Sequence, residues 1–406
     1  MTTFDFQLRT RVLFGTGVIS RLGELTREQG ARRVLMVTDR GIVAAGHAAR
    51  AAGLLGTGVE AVDCFDGVRE NPDTACVDAC LALAREFQPD LLIGLGGGSA
   101  MDTAKGCNFL LTNGGRMQDY RGVGKATRPM LPLIAIPTTA GTGSECQSAA
   151  LITDPVTHQK MACLDPKAAA RVAILDPELT LSLPGRVALC TGLDAVAHAV
   201  ETAVTRPRNP VSQLFSEAAF RCLSVAFARV LAEPQDLEAR GEMLLGAAWA
   251  GTAIENSMLG AAHAAANPLT AHHGITHGEA VALMLPHVVR FNAVDPAAAL
   301  AYHSLLATAG EAKLPLSPTP ATKAEPDFLD PGDPATAGER LARWLEDLLR
   351  LGGLEPSLAS RGISGKDIPS LAGEAAAQWT AGFNPRPVTA ADFETLYRVA
   401  LSPDRG

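Results

Sequence analysis

The chain has 406 residues, a formal net charge of −8 and 47% hydrophobic residues. This acidic balance, with no cluster of lysine and arginine interleaved with aromatic residues, argues against nucleic acid or an anionic membrane as the main partner. The length favours two domains, because one hydrophobic core rarely serves so many residues.

The remaining composition is typical of a soluble protein. Charged residues, glycine or proline interrupt every apolar stretch before the roughly 18 residues that a membrane-spanning helix needs, and the first residues lack the pattern of a secretion signal. We therefore expect a cytoplasmic protein without membrane segments. All eight cysteines precede residue 223 and none forms a Cys-x-x-Cys pair, so we expect reduced thiols used in packing.

The first half of the chain has the pattern of an α/β domain. Short β-branched runs alternate with helical stretches between residues 31 and about 180. Strands are predicted over residues 33–39, 59–65, 91–95 and 131–136, and helices over a segment ending near Gly53 and over residues 73–87. These short apolar runs, separated by helices, favour a parallel sheet.

The second half has a different pattern. After about residue 181 the strand signals cease, and successive helices rich in alanine and leucine follow, with start signals at Asn209-Pro210 and Glu233-Pro234. Residues 313–337 hold many prolines and no apolar period, so we expect an irregular surface connection there and assign it no function.

A glycine-rich turn, Gly96-Gly97-Gly98-Ser99, lies between a predicted strand and a predicted helix. Without Cβ atoms its backbone N–H groups can approach a pyrophosphate closely, and the helix N-terminus favours negative charge. The turn lacks the ordinary Gly-x-Gly-x-x-Gly register. A tight turn without a ligand is the alternative.

A second small-residue loop, Pro137 to Glu145, follows the next predicted strand. Two such loops at the carboxyl ends of strands indicate a nucleotide cleft. Asp39 closes an earlier strand, where its carboxylate would bind a ribose diol and repel a 2′-phosphate, which favours NAD over NADP. Alternatively, Asp39 caps a helix that begins near Gly41.

One carboxylate and three imidazoles are candidates for a divalent-metal site. Asp194 and His198 are four residues apart on a predicted helix and therefore share a face. His263 and His277 lie in a neighbourhood rich in alanine, with few other polar partners. Taken alone, an Asp-x-x-x-His pair is more often a surface or capping arrangement.

In this order the motifs resemble the iron-containing, or group III, alcohol dehydrogenases, which have the dehydroquinate synthase-like fold. The similarity runs over most of the chain, from Leu13 through Asp176 to Arg386. It implies an N-terminal dinucleotide-binding domain with a Rossmann-like parallel sheet, residues 1–180. An all-α metal-binding and catalytic domain, residues 181–406, would follow.

The resemblance also assigns site residues. It implies that Fe2+ or Zn2+, which the sequence does not distinguish, is bound by Asp194, His198, His263 and His277. It implies an NAD(P) site lined by Asp39, Asn71, Gly96, Gly97, Gly98, Ser99, Asp102, Thr138, Thr139 and Lys160. A substrate pocket is suggested at Gln147, Ala149 and Ile254, an uncharged set that suits a modest alcohol or aldehyde.

The implied function is a metal-dependent, NAD(H)-linked alcohol dehydrogenase or aldehyde reductase. The metal would lower the pKa of a bound alcohol, and hydride would pass to C4 of the nicotinamide in a cleft between the domains. One alternative is a maleylacetate-reductase-like or hydroxyacid-oxoacid enzyme acting on a carboxylated substrate, which a basic residue such as Arg386 would favour. The other is a non-catalytic NAD-binding or metal-binding protein. Because family members are often oligomeric, we expect a homodimer or larger homo-oligomer.

One position departs from the family pattern. Many relatives have a second histidine four residues after the third ligand, where this chain has Asn267. Since an amide cannot carry a proton, the proton released on alcohol oxidation would leave through water, the cofactor ribose or another base. We name His272 and His273 as candidates beside His277, with a surface or structural pair as the alternative. His287 and His303 are predicted as helix-capping or surface residues.

Overall fold

The computed structural model describes residues 3–156, 160–310 and 333–401. It divides into two compact units, of which one is Gln7–Leu183 and the other comprises Pro184–Gly406 together with Met1–Phe6. Most of the proline-rich segment predicted to be irregular, residues 313–332, lies outside the described residues. Its last part is more regular than predicted, because Pro334–Thr336 form a 3-10 turn that leads into a helix at Ala337.

The α/β unit contains nine strands and five α-helices among its described residues. The strands are β1 Arg11–Phe14, β2 Arg33–Val37, β3 Ala61–Phe65, β4 Leu91–Gly96, β5 Gly122–Val123, β6 Leu133–Pro137, β7 Ala149–Thr153, β8 Lys160–Leu164 and β9 Val172–Leu175. The helices are α1 Leu22–Glu28, α2 Arg40–Ala44, α3 His47–Leu55, α4 Thr74–Phe87 and α5 Gly98–Asn113.

Six of these strands form a parallel sheet in the order β1-β9-β6-β4-β2-β3. Side chains of β4 alternate between its faces. Leu92 joins an apolar cluster with residues of α4 and α5, whereas Leu91 and Ile93 join a cluster with residues of α1 and α3. Because both faces are covered, the central strands are apolar runs without polar alternation. The predicted parallel sheet is confirmed.

A second, three-stranded sheet was not predicted. Its order is β5-β8-β7, and β7 pairs with β8 in the antiparallel sense, with Ala149 opposite Leu164. Lys160 is the first residue of β8.

The other unit is helical throughout its described residues, as predicted. Its helices are α6 Gly185–Thr202, α7 Pro210–Ala232, α8 Leu237–Ser257, α9 Ala261–His273, α10 His277–Asn292, α11 Pro296–Gly310, α12 Ala337–Leu351, α13 Ile368–Ala377 and α14 Ala390–Leu401. Within the described ranges, no helix is long and apolar enough to cross a membrane.

The prediction for His287 was wrong. This residue lies inside α10 and is only 5% exposed, so it neither caps the helix nor faces solvent. Burial and the nearby charge of Arg290 lower the pKa of His287 to about 4. The imidazole is therefore a neutral core group. All eight cysteines are free thiols, and six of them are buried.

Candidate metal centre and cofactor-binding edge

Three helices of the helical unit bring the predicted metal ligands together. Helix α6 carries Asp194 and His198, the first turn of α9 carries His263, and α10 begins at His277. A Cβ atom added at Gly278 would lie 2.0 Å from the carbonyl oxygen of Cys190 on α6. The close approach of α10 to α6, and with it the place of His277, therefore depends on glycine at this position.

The three imidazoles converge on one carboxylate oxygen. The Nε2 atoms of His263, His198 and His277 lie 3.4, 3.5 and 3.9 Å from Oδ1 of Asp194. Candidate ligand atoms of Asp194, His263 and His277 all lie within 4.8 Å of one another. The side chain of His277 is 22% exposed, whereas that of Asp194 is 6% exposed. Solvent therefore reaches this cluster at His277.

Glu201, which was not among the predicted site residues, holds His263 from behind. Its Oε2 lies 2.5 Å from Nδ1 of His263, and its Oε1 accepts a hydrogen bond of 2.7 Å from the backbone N–H of Ala262. A carboxylate only accepts hydrogen bonds, so the proton of His263 belongs on Nδ1. This leaves the lone pair of Nε2 facing Asp194, the arrangement in which a carboxylate supports a metal-binding histidine.

The facing atoms of Asp194 and His263 fit a divalent cation. Among the described residues, Oδ1 of Asp194 and Nε2 of His263 have no hydrogen-bond partner, although both are buried. Two acceptors that face each other in a buried site repel unless a proton or a metal cation lies between them. Imidazole nitrogen and carboxylate oxygen are ligands that both Fe2+ and Zn2+ accept.

The electrostatics of this cluster also favour a positive charge. Burial opposes ionisation of Asp194, yet the imidazoles of His198, His263 and His277 hold the pKa of this carboxyl well below its usual range. Burial likewise opposes a charge on His263, but Glu201 and Asp194 raise the pKa of His263 to about 9. The negative charge of the two carboxylates thus retains a proton on His263. A bound metal cation would balance the same negative charge.

The candidate cofactor residues of the α/β unit follow neighbouring strands. Strands β2, β4 and β6 are adjacent and parallel. Their carboxyl ends therefore place Asp39, the turn from Gly96 to Ser99, and Thr138 with Thr139 along one edge of the sheet. Open α/β sheets bind ligands at this edge. Asn71 follows β3, the next strand of the sheet, and has a positive φ of 49°.

Asp39 is a helix cap that also borders the glycine turn. Its Oδ1 accepts a hydrogen bond of 3.0 Å from the N–H of Ile42 and caps α2, as the alternative interpretation proposed. Gly96 has a φ of +146°, and a Cβ atom there would lie 3.5 Å from Oδ2 of Asp39. The second carboxylate oxygen therefore faces the turn at which the predicted cofactor would bind.

The two predicted cofactor loops pack closely against each other because the residues of the first loop at this contact are glycines. Cβ atoms added at Gly97 and Gly98 would lie 3.4 Å from the side chain of Thr139 and 2.7 Å from that of Thr142. The turn then enters α5 at Gly98. The partial positive charge of this helix N-terminus is the kind of site that binds pyrophosphate.

A buried charged network lies behind this edge. Asp102 is 9% exposed and accepts a hydrogen bond of 3.0 Å from the hydroxyl of Ser144. Burial raises the pKa of Asp102, although Lys105, Ser144 and Lys160 oppose the change. Lys105, which was not among the predicted site residues, is completely buried and donates to the same hydroxyl at 2.9 Å.

The candidates for proton transfer lie in and after α9. Nε2 of His272 lies 2.7 Å from Oε2 of Glu374, and both side chains are more than two-fifths exposed. His273 is the last residue of α9 and is half-buried. The amide of Asn267 donates a hydrogen bond of 3.1 Å to Oε1 of Gln378. His272 thus forms a surface contact, and relay by either histidine stays a prediction.

The predicted pocket residues come from both units. Gln147 and Ala149 belong to the α/β unit, where the Gln147 amide donates a hydrogen bond of 2.8 Å to the carbonyl of Thr142 and Ala149 begins β7. Ile254 lies in α8 and is 7% exposed. Their joint role in substrate binding stays a prediction.

Arg386, the candidate for binding a substrate carboxylate, is engaged elsewhere. Its guanidinium donates to the carbonyl oxygen of Phe291 and lies 3.9 Å from the centroid of the same residue's ring. These contacts favour the structural role.

Comparison with known families accounts for nearly the whole chain. Residues 9–177 match the model described as iron-containing alcohol dehydrogenase, and residues 188–401 match the C-terminal model of the Fe-containing alcohol dehydrogenase family. The chain belongs to the iron-containing alcohol dehydrogenase family. Its members are oxidoreductases that act on alcohols. The predicted family, fold class and type of enzyme are confirmed.

Individual relatives cover the chain almost from end to end. The chain is 31% identical to the NAD-dependent methanol dehydrogenase of Bacillus methanolicus, over 98% of this chain and 100% of the relative. It is 32% identical to lactaldehyde reductase of Escherichia coli strain K12, over 95% and 97% of the two chains.

Solved structures show the same fold. A 1,3-propanediol oxidoreductase superposes with a TM-score of 0.89 at 30% identity and covers 98% of this chain and 100% of its own. A sulfoacetaldehyde reductase from Bifidobacterium kashiwanohense in complex with NAD+ superposes with a TM-score of 0.84 at 27% identity, over 99% and 100% of the chains.

Proposed function

We propose that the protein is a metal-dependent, NAD(H)-linked dehydrogenase of small alcohols that also reduces the corresponding aldehydes. The observation that carries this proposal is the convergence of three imidazoles on one buried carboxylate oxygen, Oδ1 of Asp194. Family membership supports it, and so do relatives named as NAD-dependent or solved with NAD+.

In this proposal Asp194, His198, His263 and His277 hold Fe2+ or Zn2+. The cation supplies Lewis acidity towards an alcohol or carbonyl oxygen, and the nicotinamide supplies hydride exchange at C4. Glu201 holds a proton on Nδ1 of His263, which directs Nε2 at Asp194 as the atom that would bind the metal. Exposure of His277 leaves one side of the cluster accessible to a substrate.

The α/β unit would bind the dinucleotide. The turn from Gly96 to Ser99, together with the N-terminus of α5, suits the pyrophosphate. Asp39 suits a free ribose diol, which favours NAD over NADP. The remaining predicted positions, Asn71, Asp102, Thr138, Thr139 and Lys160, would complete this site. We also propose that the protein is cytoplasmic and that it forms a homodimer or larger homo-oligomer. Light scattering on the purified protein tests the oligomeric state.

Metal content and turnover test the proposal together. Protein purified without air is analysed for bound metals, reconstituted separately with Fe2+ and Zn2+, and assayed for NADH formation with small alcohols and hydroxy acids. Turnover that requires the metal supports the proposal. Full activity without metal would refute the metal site. NAD binding without turnover of any substrate would favour a non-catalytic binding protein.

A carboxylated substrate is the less favoured alternative. Such a substrate needs a basic side chain to bind its carboxylate, and Arg386 is committed to Phe291. Faster turnover of a hydroxy acid than of the uncharged alcohol of the same length would reverse this preference.

A further inference from the structure

Lys105 of α5 has an unusual position for a lysine. Its side chain is completely buried, and its ammonium group donates to three carbonyl oxygens of one segment, those of Ser144, Gln147 and Ala149, at 2.6, 2.8 and 3.0 Å. Burying an ammonium group costs much free energy unless its hydrogen bonds are replaced. These acceptors replace them, so the segment and the lysine hold each other in place.

Asp102, which lies about one helical turn before Lys105 on α5, contacts the same segment. Residues three apart on a helix share a face, so Asp102 and Lys105 both point at the segment from Ser144 to Leu151. The carboxylate accepts a hydrogen bond of 3.0 Å from the Ser144 hydroxyl, and the backbone N–H of Leu151 opposes the rise that burial causes in the pKa of Asp102. Helix α5 therefore holds this segment by one acceptor and one donor.

Other hydrogen bonds also hold the path of the segment: the N–H of Cys146 donates to the carbonyl of Gly143, and the carbonyl of Ser148 accepts from the N–H of Asp165. Ala149 is fixed by its pairing with Leu164 in β8, and the N–H of Gln147 bonds to the carbonyl of Ser144 at 3.2 Å. The ammonium group of Lys105 binds the carbonyl of Ser144 at the start of this stretch and those of Gln147 and Ala149 at its end. The directions of the side chains of Gln147 and Ala149 follow from where their backbone is held.

We propose that Lys105 is a positioning residue for the alcohol pocket. By fixing three carbonyl groups it sets the orientation of Gln147 and Ala149, while the N-terminus of the same helix holds the dinucleotide. This inference rests on the proposed function, because it takes these two residues as part of the substrate site. The two binding steps can then be compared, since Lys105 fixes the segment that carries Gln147 and Ala149 directly and reaches the cofactor site only through Asp102.

Steady-state kinetics of the metal-loaded, full-length Lys105→Met variant tests the inference. Because a shift of about 1 Å in a binding group can cost as much as a hundredfold in rate, we expect the KM for the best alcohol to rise by at least about tenfold. The dissociation constant for NAD, measured by fluorescence titration without alcohol, should change by less than about threefold.

Two further variants make the test specific. Ser144→Ala removes the hydroxyl that joins Lys105 to Asp102 but keeps the carbonyl acceptors, so it should raise the KM in the same direction by less. Arg33→Met is the matched control, because Arg33 also donates to backbone carbonyls, those of Phe87 and Gln88, at the opposite edge of the sheet. It should leave both constants unchanged.

Hydrogen exchange gives a readout that does not depend on turnover. In the Lys105→Met variant, peptides covering residues 143–151 should exchange faster, while those of α4 and β6 keep their rates. An unchanged KM, an equal loss of NAD affinity, or unchanged exchange would each overturn the inference. If this variant does not fold, Ser144→Ala decides by the same measurements. If the unmodified protein oxidises no alcohol, the proposed function fails, and the exchange result still decides whether Lys105 orders the segment.

Discussion

Glu201 follows His198 by three residues on α6 and accepts hydrogen bonds from both Nδ1–H of His263 and the N–H of Ala262. Both acceptor atoms of the carboxylate are used. A glutamine has one acceptor oxygen and one NH2 group, so it cannot accept one bond on each of its two terminal atoms. The residue therefore couples the start of α9 to the orientation of a proposed metal ligand.

The Glu201→Gln variant should bind metal about 10-fold to 100-fold more weakly, the usual effect of losing such a partner of a metal-binding histidine. Competition with a chromophoric chelator under anaerobic conditions measures this affinity. Glu217→Gln is the control, because Glu217 lies in the same unit and accepts a hydrogen bond from Ser304, away from the candidate ligands. Equal metal affinity in the Glu201 variant would show that Glu201 does not support the site.

Asp39 combines a structural and a proposed functional role that one substitution can separate. Asparagine caps helices as well as aspartate does, so Asp39→Asn should keep the bond to Ile42 while removing the negative charge. The ratio of kcat/KM for NADP to that for NAD should then rise by about tenfold. Asp39→Ala should in addition lower stability by about 1 kcal/mol through loss of the cap. Equal use of NAD and NADP by the unmodified protein would refute the assigned preference.

Glu145, at the end of the second cofactor loop, should make stability depend on pH. Burial raises the pKa of Glu145 from 4.5 to about 7, so the folded protein binds this proton more tightly than the unfolded chain does. The resulting stabilisation is fully present below pH 4.5 and is lost as the pH rises through about 7.

The Glu145→Gln variant cannot ionise, so it should lose less stability than the unmodified protein between pH 5 and pH 8, by up to about 3 kcal/mol. Urea unfolding at the two pH values measures the difference. The exposed Glu86→Gln variant should behave like the unmodified protein. Parallel losses in the Glu145 variant and the unmodified protein would show that this carboxyl is already ionised at pH 5.

At the scale of elements, the contact of α10 with α6 decides whether the ligand set assembles. A methyl group at Gly278 would overlap a backbone oxygen, that of Cys190, which cannot turn away as a side chain can. The helices would have to separate, and His277 would move with α10. We expect Gly278→Ala to lower stability by about 1–3 kcal/mol and to lose metal.

Thermal unfolding and metal analysis of the purified variant check this expectation. Gly373→Ala is the matched control, because Gly373 lies inside α13 and a Cβ atom there has open space. Since alanine favours helices over glycine, the control should gain up to about 1 kcal/mol and keep its metal. Normal metal content in the Gly278 variant would show that the helices adjust without loss.

The elements that the sequence predicts are those with a strong local pattern. Apolar runs bounded by turn residues predict β2, β4 and β6, and the motif at Asp194 and His198 lies on a helix as expected. The antiparallel pairing of β7 with β8 escapes such a pattern, because pairing joins residues that are distant along the chain. Without knowledge of this pairing, the sequence does not indicate what fixes the segment that Lys105 contacts.

Burial on all sides hides the other missed residues. Each position of α6 from Gly192 to Thr202 is buried. Hydrophobic periodicity therefore distinguishes no solvent-facing side of this helix, and it does not indicate whether Glu201 is exposed or buried. The same holds for α10 from Gly278 to Val289, where His287 was taken for a surface residue. In such helices the partner of a polar side chain is set by tertiary packing, which the sequence pattern does not show.

At the scale of the whole molecule, the two kinds of chemistry are divided between the units. The proposed metal ligands all belong to the helical unit, and the proposed dinucleotide residues all belong to Gln7–Leu183. Each ligand should therefore stabilise its own unit first. A ligand at 100 times its dissociation constant contributes about 2.7 kcal/mol to the state that binds it.

Hydrogen exchange with metal alone and with NAD alone tests this division. Metal should slow exchange in peptides of α6, α9 and α10, because it would join side chains from these three helices. NAD should slow exchange at the loops after β2, β4 and β6, where the backbone N–H groups that would bind its phosphates lie. Protection by metal confined to the α/β unit would contradict the ligand assignment. Protection by NAD confined to the helical unit would contradict the cofactor assignment, and the two results are independent because each experiment contains one ligand.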